Sequence, residues 1–86
     1  MLRRRVEALM VQEVDGEVII LDTAANRVHQ LNRTATLIWQ SCDTASDPEE
    51  IAERLAAEFA VEWDIVLADV LRTLEDLRAV DLLAKS

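Results

Sequence analysis

The hydrophobic periodicity of this 86-residue chain changes once, about a third of the way along. Before residue 32 the pattern is that of short extended segments. Residues 8–14 and Glu17–Asp22 are rich in Val, Ile, Leu and Met, and Asp15-Gly16 separates them. Such a two-residue loop suits a type I′ hairpin turn, because both of its positions need positive φ. The turn then dictates the register: Val14 faces Glu17, Val11 faces Ile20 and Met10 faces Leu21. One face of the hairpin carries Leu9, Val11, Val18 and Ile20, and the other carries Met10, Val14, Ile19 and Leu21. With both faces apolar, the pattern predicts at least partial cover on each side. Residues 23–26 form a second turn, in which Asn26 best tolerates a left-handed conformation. Arg27–Leu31 follows as a short third strand at one edge of an antiparallel meander, with Val28 and Leu31 on opposite faces.

After residue 32 the period becomes helical. Asn32 is a good N-cap, and Ala35, Ile38, Trp39 and Cys42 recur along one stripe. Residues 43–46 make a loop. Asp47-Pro48-Glu49-Glu50 is a strong helix start, with Asp47 as cap, Pro48 at the first helical position and Glu50 completing a capping-box-like pair. Ile51, Ala52, Leu55 and Phe59 make the buried stripe of that helix. A last helix, capped by Asp64 and running to about Val80, carries one stripe of Val66, Val70, Leu74 and Leu77. A second stripe of Leu67, Leu71, Leu74 and Arg78 lies beside it, so this helix is apolar over more than one face. Leu82 and Leu83 fold back onto the core. The chain thus reads as one α+β domain over residues 1–86, winged-helix-like, with a three-stranded antiparallel sheet followed by three helices in the order β-β-β-α-α-α.

Composition narrows the function. Hydrophobic residues make up 51% and charged residues 30%, with one Gly and one Pro, as in a folded domain without linkers. Acids outnumber bases 17 to 9, for a net charge of −8, which opposes bulk attraction to nucleic acid or an anionic membrane. One Cys and one His exclude an internal disulfide and a Cys/His zinc site. No apolar run approaches the roughly 18 residues of a membrane span. Arg3, Arg4 and Arg5 resemble a signal-peptide n-region, but no apolar h-region follows. The expectation is a cytoplasmic protein with no metal and no cofactor.

Candidate chemistry is sparse. His29 alone titrates near neutrality, and Cys42 falls on a buried stripe where a thiol is inert. No catalytic residue is expected. Glu49, Glu50, Glu53 and Glu58 read as a solvated helix face, and Trp39 and Trp63 as core residues. A winged-helix order admits a DNA-binding regulator as the alternative reading, with Arg72 and Arg78 on the recognition helix. That helix is nonetheless acidic on balance, through Asp64, Asp69, Glu75 and Asp76. The other reading is a protein-interaction surface. An exposed third strand offers unpaired N–H and C=O groups to an incoming peptide strand. Leu67 and Leu71 then either wall a pocket beside it, pack on the hairpin, or form the seam of a homodimer.

Leu31-Asn32, Ala35, Ile38-Trp39 and Cys42-Asp43 resemble the signature of the PqqD family. Asn26-Arg27 in the preceding turn, and Ile51, Leu55, Phe59, Asp69-Val70, Leu74, Leu77 and Leu82-Leu83 beyond, follow its pattern over nearly the whole chain. Val28 and His29 stand where the family often has an aromatic residue, and Thr44 and Asp81 where it often has Gly. The resemblance implies a non-catalytic chaperone that binds the leader segment of a ribosomally made precursor peptide and presents it to a modifying enzyme. That enzyme is a radical-SAM protein in pyrroloquinoline quinone (PQQ) synthesis, or a leader protease in related systems. It further implies that the leader adds as a strand beside Arg27, Val28, His29, Gln30 and Leu31, in the groove toward the last helix. Leu67, Leu71 and Leu74 would supply an apolar wall, and Arg27, Arg33 and Arg78 would meet acidic leader residues. Proline at His29 is expected to weaken leader binding.

Overall fold

The computed structural model describes residues 2–45 and 47–84. Three strands, β1 (Leu9–Val14), β2 (Glu17–Asp22) and β3 (Arg27–Leu31), precede three helices, α1 (Arg33–Ser41), α2 (Pro48–Phe59) and α3 (Trp63–Ala79). The sheet is an antiparallel meander in the order β1-β2-β3. It is an α+β fold, which the term winged-helix describes only loosely. Asp15 and Gly16 take φ of 53° and 81°, and the pairs Val14–Glu17, Val11–Ile20 and Met10–Leu21 form as the turn dictates. Asn26 is also left-handed. Its turn is fastened by Asp22, whose Oδ1 accepts the amides of Ala24 and Ala25.

The helices start where their caps stand. The Asn32 side chain accepts the Ala35 amide at 2.8 Å, and that of Asp47 accepts the Glu50 amide at 2.9 Å, each satisfying an otherwise orphaned donor. α3 differs from expectation. It begins at Trp63, its cap position is Glu62 without a side-chain cap bond, and Asp64 lies in the first turn. There the Asp64 carboxylate favours the positive end of the helix dipole rather than capping it.

Val18 and Ile20 of the sheet meet Ile38 and Trp39 of α1, Ile51 of α2, Val70 of α3 and Leu82 in one buried cluster. The Trp39 indole N–H donates to the Leu82 carbonyl at 2.9 Å, fixing the folded-back terminus. Thr36 is buried because its hydroxyl bridges two strand ends, accepting from the Val18 amide and donating to the Leu31 carbonyl. This bridge fixes α1 against the sheet. Two of the three arginines near the start, Arg4 and Arg5, do structural work through their side chains. Arg5 grips both oxygens of buried Asp22, at 2.7 and 3.2 Å. Arg4 pairs with Asp43 and lies over the Trp39 ring, 5.1 Å from its centroid. The strand-like segment around them pairs with Leu82–Ala84 through Arg5 N–H to Leu82 O and Ala84 N–H to Arg3 O.

Three burial expectations are corrected. Phe59 is 43% exposed and Trp63 41%, because α2 ends and α3 begins at the margin of the helical layer. The second face of the hairpin is not covered either. Met10 and Val14 are exposed and Ile19 is partly so, since all three helices lie on the opposite side of the sheet. The loop residue Ser46 falls outside the described residues.

Candidate functional site

β3 is a free edge, and the ladder decides which of its backbone groups are available. A two-residue turn makes Val14 and Glu17 a hydrogen-bonded pair, and the Thr23 amide bonding to the Ala8 carbonyl at 2.9 Å continues the same phase. Glu17, Ile19 and Leu21 therefore bond toward β1, and Val18, Ile20 and Asp22 toward β3. Their β3 partners are Leu31, His29 and Arg27. Val28 and Gln30 are left with N–H and C=O groups directed outward. Of the five residues expected to pair with a peptide, these two own the open edge.

Beside this edge runs a groove of about 450 Å3 between β3, the start of α1 and α3. Gln30 and Leu31 line it from the strand, Asn32, Thr34 and Ala35 from the α1 start, and Asp69, Arg72, Thr73, Asp76, Leu77 and Val80 from α3. The helix wall is thus one i, i+3, i+4, i+7 stripe. Asp69 accepts from Arg72 at 2.9 Å. No ion pair engages Asp76 among the described residues.

The other residues singled out in the sequence lie elsewhere. Leu74 is core, Leu67 is partly buried against that core, and Leu71 is 48% exposed on a face that does not line the groove. Arg33 lies against Gly16 of the β1–β2 turn. Arg27, Val28 and Arg78 are exposed outside the groove lining. His29 turns toward the helical side with Ile20, and its buried Nε2 has no hydrogen-bond partner among the described residues. Sequence reasoning missed Arg72, Thr73 and Asp76 because it sought an apolar wall. The signal for them was the polar stripe immediately beside the buried Val70–Leu74–Leu77 line.

Burial, with Asp43 adding to it, pushes the Cys42 thiol up to about 11, which removes the thiolate that nucleophilic chemistry needs. Among the described residues no group of three His, Cys, Asp or Glu side chains is placed to hold a metal. Among the described residues no helix is long and apolar enough to cross a membrane. What the site does offer is an open strand edge, a groove and a mixed polar and apolar wall, the means of holding an extended chain.

A family model described as coenzyme PQQ synthesis protein D (PqqD) matches residues 17–83, from β2 through the folded-back Leu82-Leu83. The chain belongs to the PqqD family. Two solved structures share the fold with a TM-score of 0.83. One, "TbiB1 in Complex with the TbiA(beta) Leader Peptide", is 25% identical and is aligned over 98% of this chain and 96% of that one. The other, "Lasso peptide synthetase B1 complexed with the leader peptide", is 26% identical over 98% of both chains. Comparison with curated proteins gave no match. Asp81, where PqqD proteins often carry Gly, takes the left-handed conformation, with φ of 63°, so the helix exit is kept without the glycine.

Proposed function

We infer that this PqqD-family protein is a leader-peptide recognition domain. It captures an extended leader segment of a ribosomally made precursor as a fourth strand on β3 and presents the precursor to a modifying enzyme, with no chemistry of its own. The observation that carries the reading is the open edge at Val28 and Gln30 beside the β3–α3 groove. The fold is shared with two proteins whose structures are described as holding leader peptides. In this reading Leu77 and Val80 receive apolar leader side chains, and Asp76 and the Asp69–Arg72 pair select polar ones. Arg27 and Arg78 remain candidates for contacts at the rim. Duplex DNA gains no support, since the groove stripe of α3 sets two carboxylates against one guanidinium.

Backbone-amide NMR with the precursor's leader tests this. Shifts centred on Val28, Gln30 and the 69–80 stretch of α3 are expected. A leader that binds while leaving those amides unmoved refutes the site.

A further inference from the structure

At one end the two walls of the groove are joined by the chain itself. β3 runs through Asn32 into α1, and the Thr36 hydroxyl donates to the Leu31 carbonyl at 3.2 Å. Thr34 and Asp69 face each other there. The other end lies where β3 begins and α3 exits, two points far apart along the chain, and Arg5 spans it. The Arg5 guanidinium holds both oxygens of Asp22, and its Nη1 also donates to the Asp81 carbonyl at 3.1 Å. Asp22 pairs with Arg27, the first residue of β3, and fastens the turn that leads into that strand. Asp81 directly follows Val80, which lines the groove. The Arg5 amide donates to the Leu82 carbonyl at 3.0 Å, so the base of the side chain is itself anchored beyond α3. Among the described residues no other side chain bonds to both Asp22 and Asp81. Arg5 does not line the groove, and most of its side chain is buried.

We propose that Arg5 is a positioning residue for peptide capture, a latch that sets the width of the groove at its Val80 end by tying the start of β3 to the exit of α3. The proposal rests on the groove reading above and adds to it the residue that holds the walls apart at the right distance. Width matters because a strand paired with β3 sits about 4.8 Å from it, so its inward side chains meet Leu77 and Val80 at a separation that the walls dictate. A gap of about 0.5–1 Å already forfeits about a quarter to a half of each van der Waals contact. The latch needs arginine in particular. A planar guanidinium grips two carboxylate oxygens and still donates to a third acceptor, whereas an ammonium acts as a point charge.

Arg5→Lys tests this, because it keeps the charge beside Asp22 and loses the fork. Leader affinity is measured by titration calorimetry at a temperature where thermal melts show the variant fully folded, so that lost stability alone leaves the affinity untouched. The variant is expected to bind the precursor's leader roughly fivefold or more weakly. Its unliganded Gln30, Leu77 and Val80 amides are expected to shift from their wild-type positions, a readout that needs no peptide. If Arg5→Lys fails to fold, Arg5→Met combined with Asp22→Asn carries the same test. That pair leaves no buried charge unpaired and keeps an oxygen for the Ala24 and Ala25 amides. A folded variant with wild-type affinity overturns the latch and leaves the groove reading standing. Weaker binding with the unliganded groove amides unmoved overturns the latch as well. In the wild type, a leader that binds without any response at Val28 and Gln30 overturns the groove reading, and the latch with it.

Discussion

Proline placed at successive positions of β3 separates edge pairing from sheet integrity. The N–H groups of Val28 and Gln30 face outward, whereas that of His29 faces β2, as its pairing with Ile20 requires. Proline removes one donor and is tolerated on an edge strand when the lost N–H faces solvent. Val28→Pro or Gln30→Pro therefore deletes one bond to an incoming strand and leaves the β2–β3 ladder intact. Little packing is lost at Val28, which is 67% exposed. A net backbone hydrogen bond contributes about 0.5–1.5 kcal/mol, so each variant should bind leader about 2- to 12-fold more weakly, with an unchanged melting temperature. His29→Pro breaks a bond inside the sheet, so it should lower stability and confound any loss of binding. Titration calorimetry with the leader, alongside thermal melts, reads both quantities. Unchanged affinity in Val28→Pro and Gln30→Pro refutes strand addition at β3, and a His29→Pro protein that melts like the wild type refutes the ladder phase that assigns those two residues to the open edge.

Other consequences concern the scaffold. The Asp22 carboxyl is held below the ordinary carboxylate range, first by its hydrogen bond from Arg5 and then by the Ala25 amide. Its contribution is therefore present at neutral pH and is lost as pH falls below about 4 toward the folded value. Asp22→Asn should lower the neutral-pH melting temperature and flatten the acid limb of the unfolding curve, and an unaltered acid limb rules this out. Ala60 closes α2 with φ of 53°, so Ala60→Gly should stabilise by about 0.5–1 kcal/mol, raising the melting temperature by roughly 2–8 °C; a decrease argues against the left-handed cap. Truncating fully buried Ile38 to Ala should cost about 2–5 kcal/mol, and denaturant unfolding measures it. The Cys42 thiol should react with iodoacetamide only as fast as the protein unfolds, so rapid labelling of the native protein at pH about 8 contradicts its burial.

Local chemistry along the chain was enough to place most of the fold. Asp15-Gly16 settles the hairpin register, because few residues accept two consecutive positive φ values. Asn32 and Asp47 mark helix starts, because their side chains satisfy the first free amides. The stripe of Ile38, Trp39 and Cys42 identifies the buried face of α1, because burial there follows helical spacing. The start of α3 was misplaced by two residues, since no side chain caps it and nothing local marks the boundary.

The site was less legible. β3 could be named as the open edge because it comes last in a meander. Which of its residues own the free backbone groups follows from ladder phase, and that phase starts at the β1–β2 turn. The face of α3 that meets the strand was beyond the reach of periodicity. Two apolar stripes run along that helix, and only the docking of α1 through Thr36 and of α3 through Val70, Leu74 and Leu77 turns the Asp69–Arg72–Asp76 line toward β3. An apolar cavity beyond it, lined by Ile38 of α1, Phe59 of α2 and Ile65 of α3, joins three consecutive helices. Residue order determined the strands, caps and core stripes, because those depend on neighbours within one turn or one hairpin. Tertiary packing alone decided the groove wall and the apolar cavity at its end, because each depends on how one helix is rotated against another.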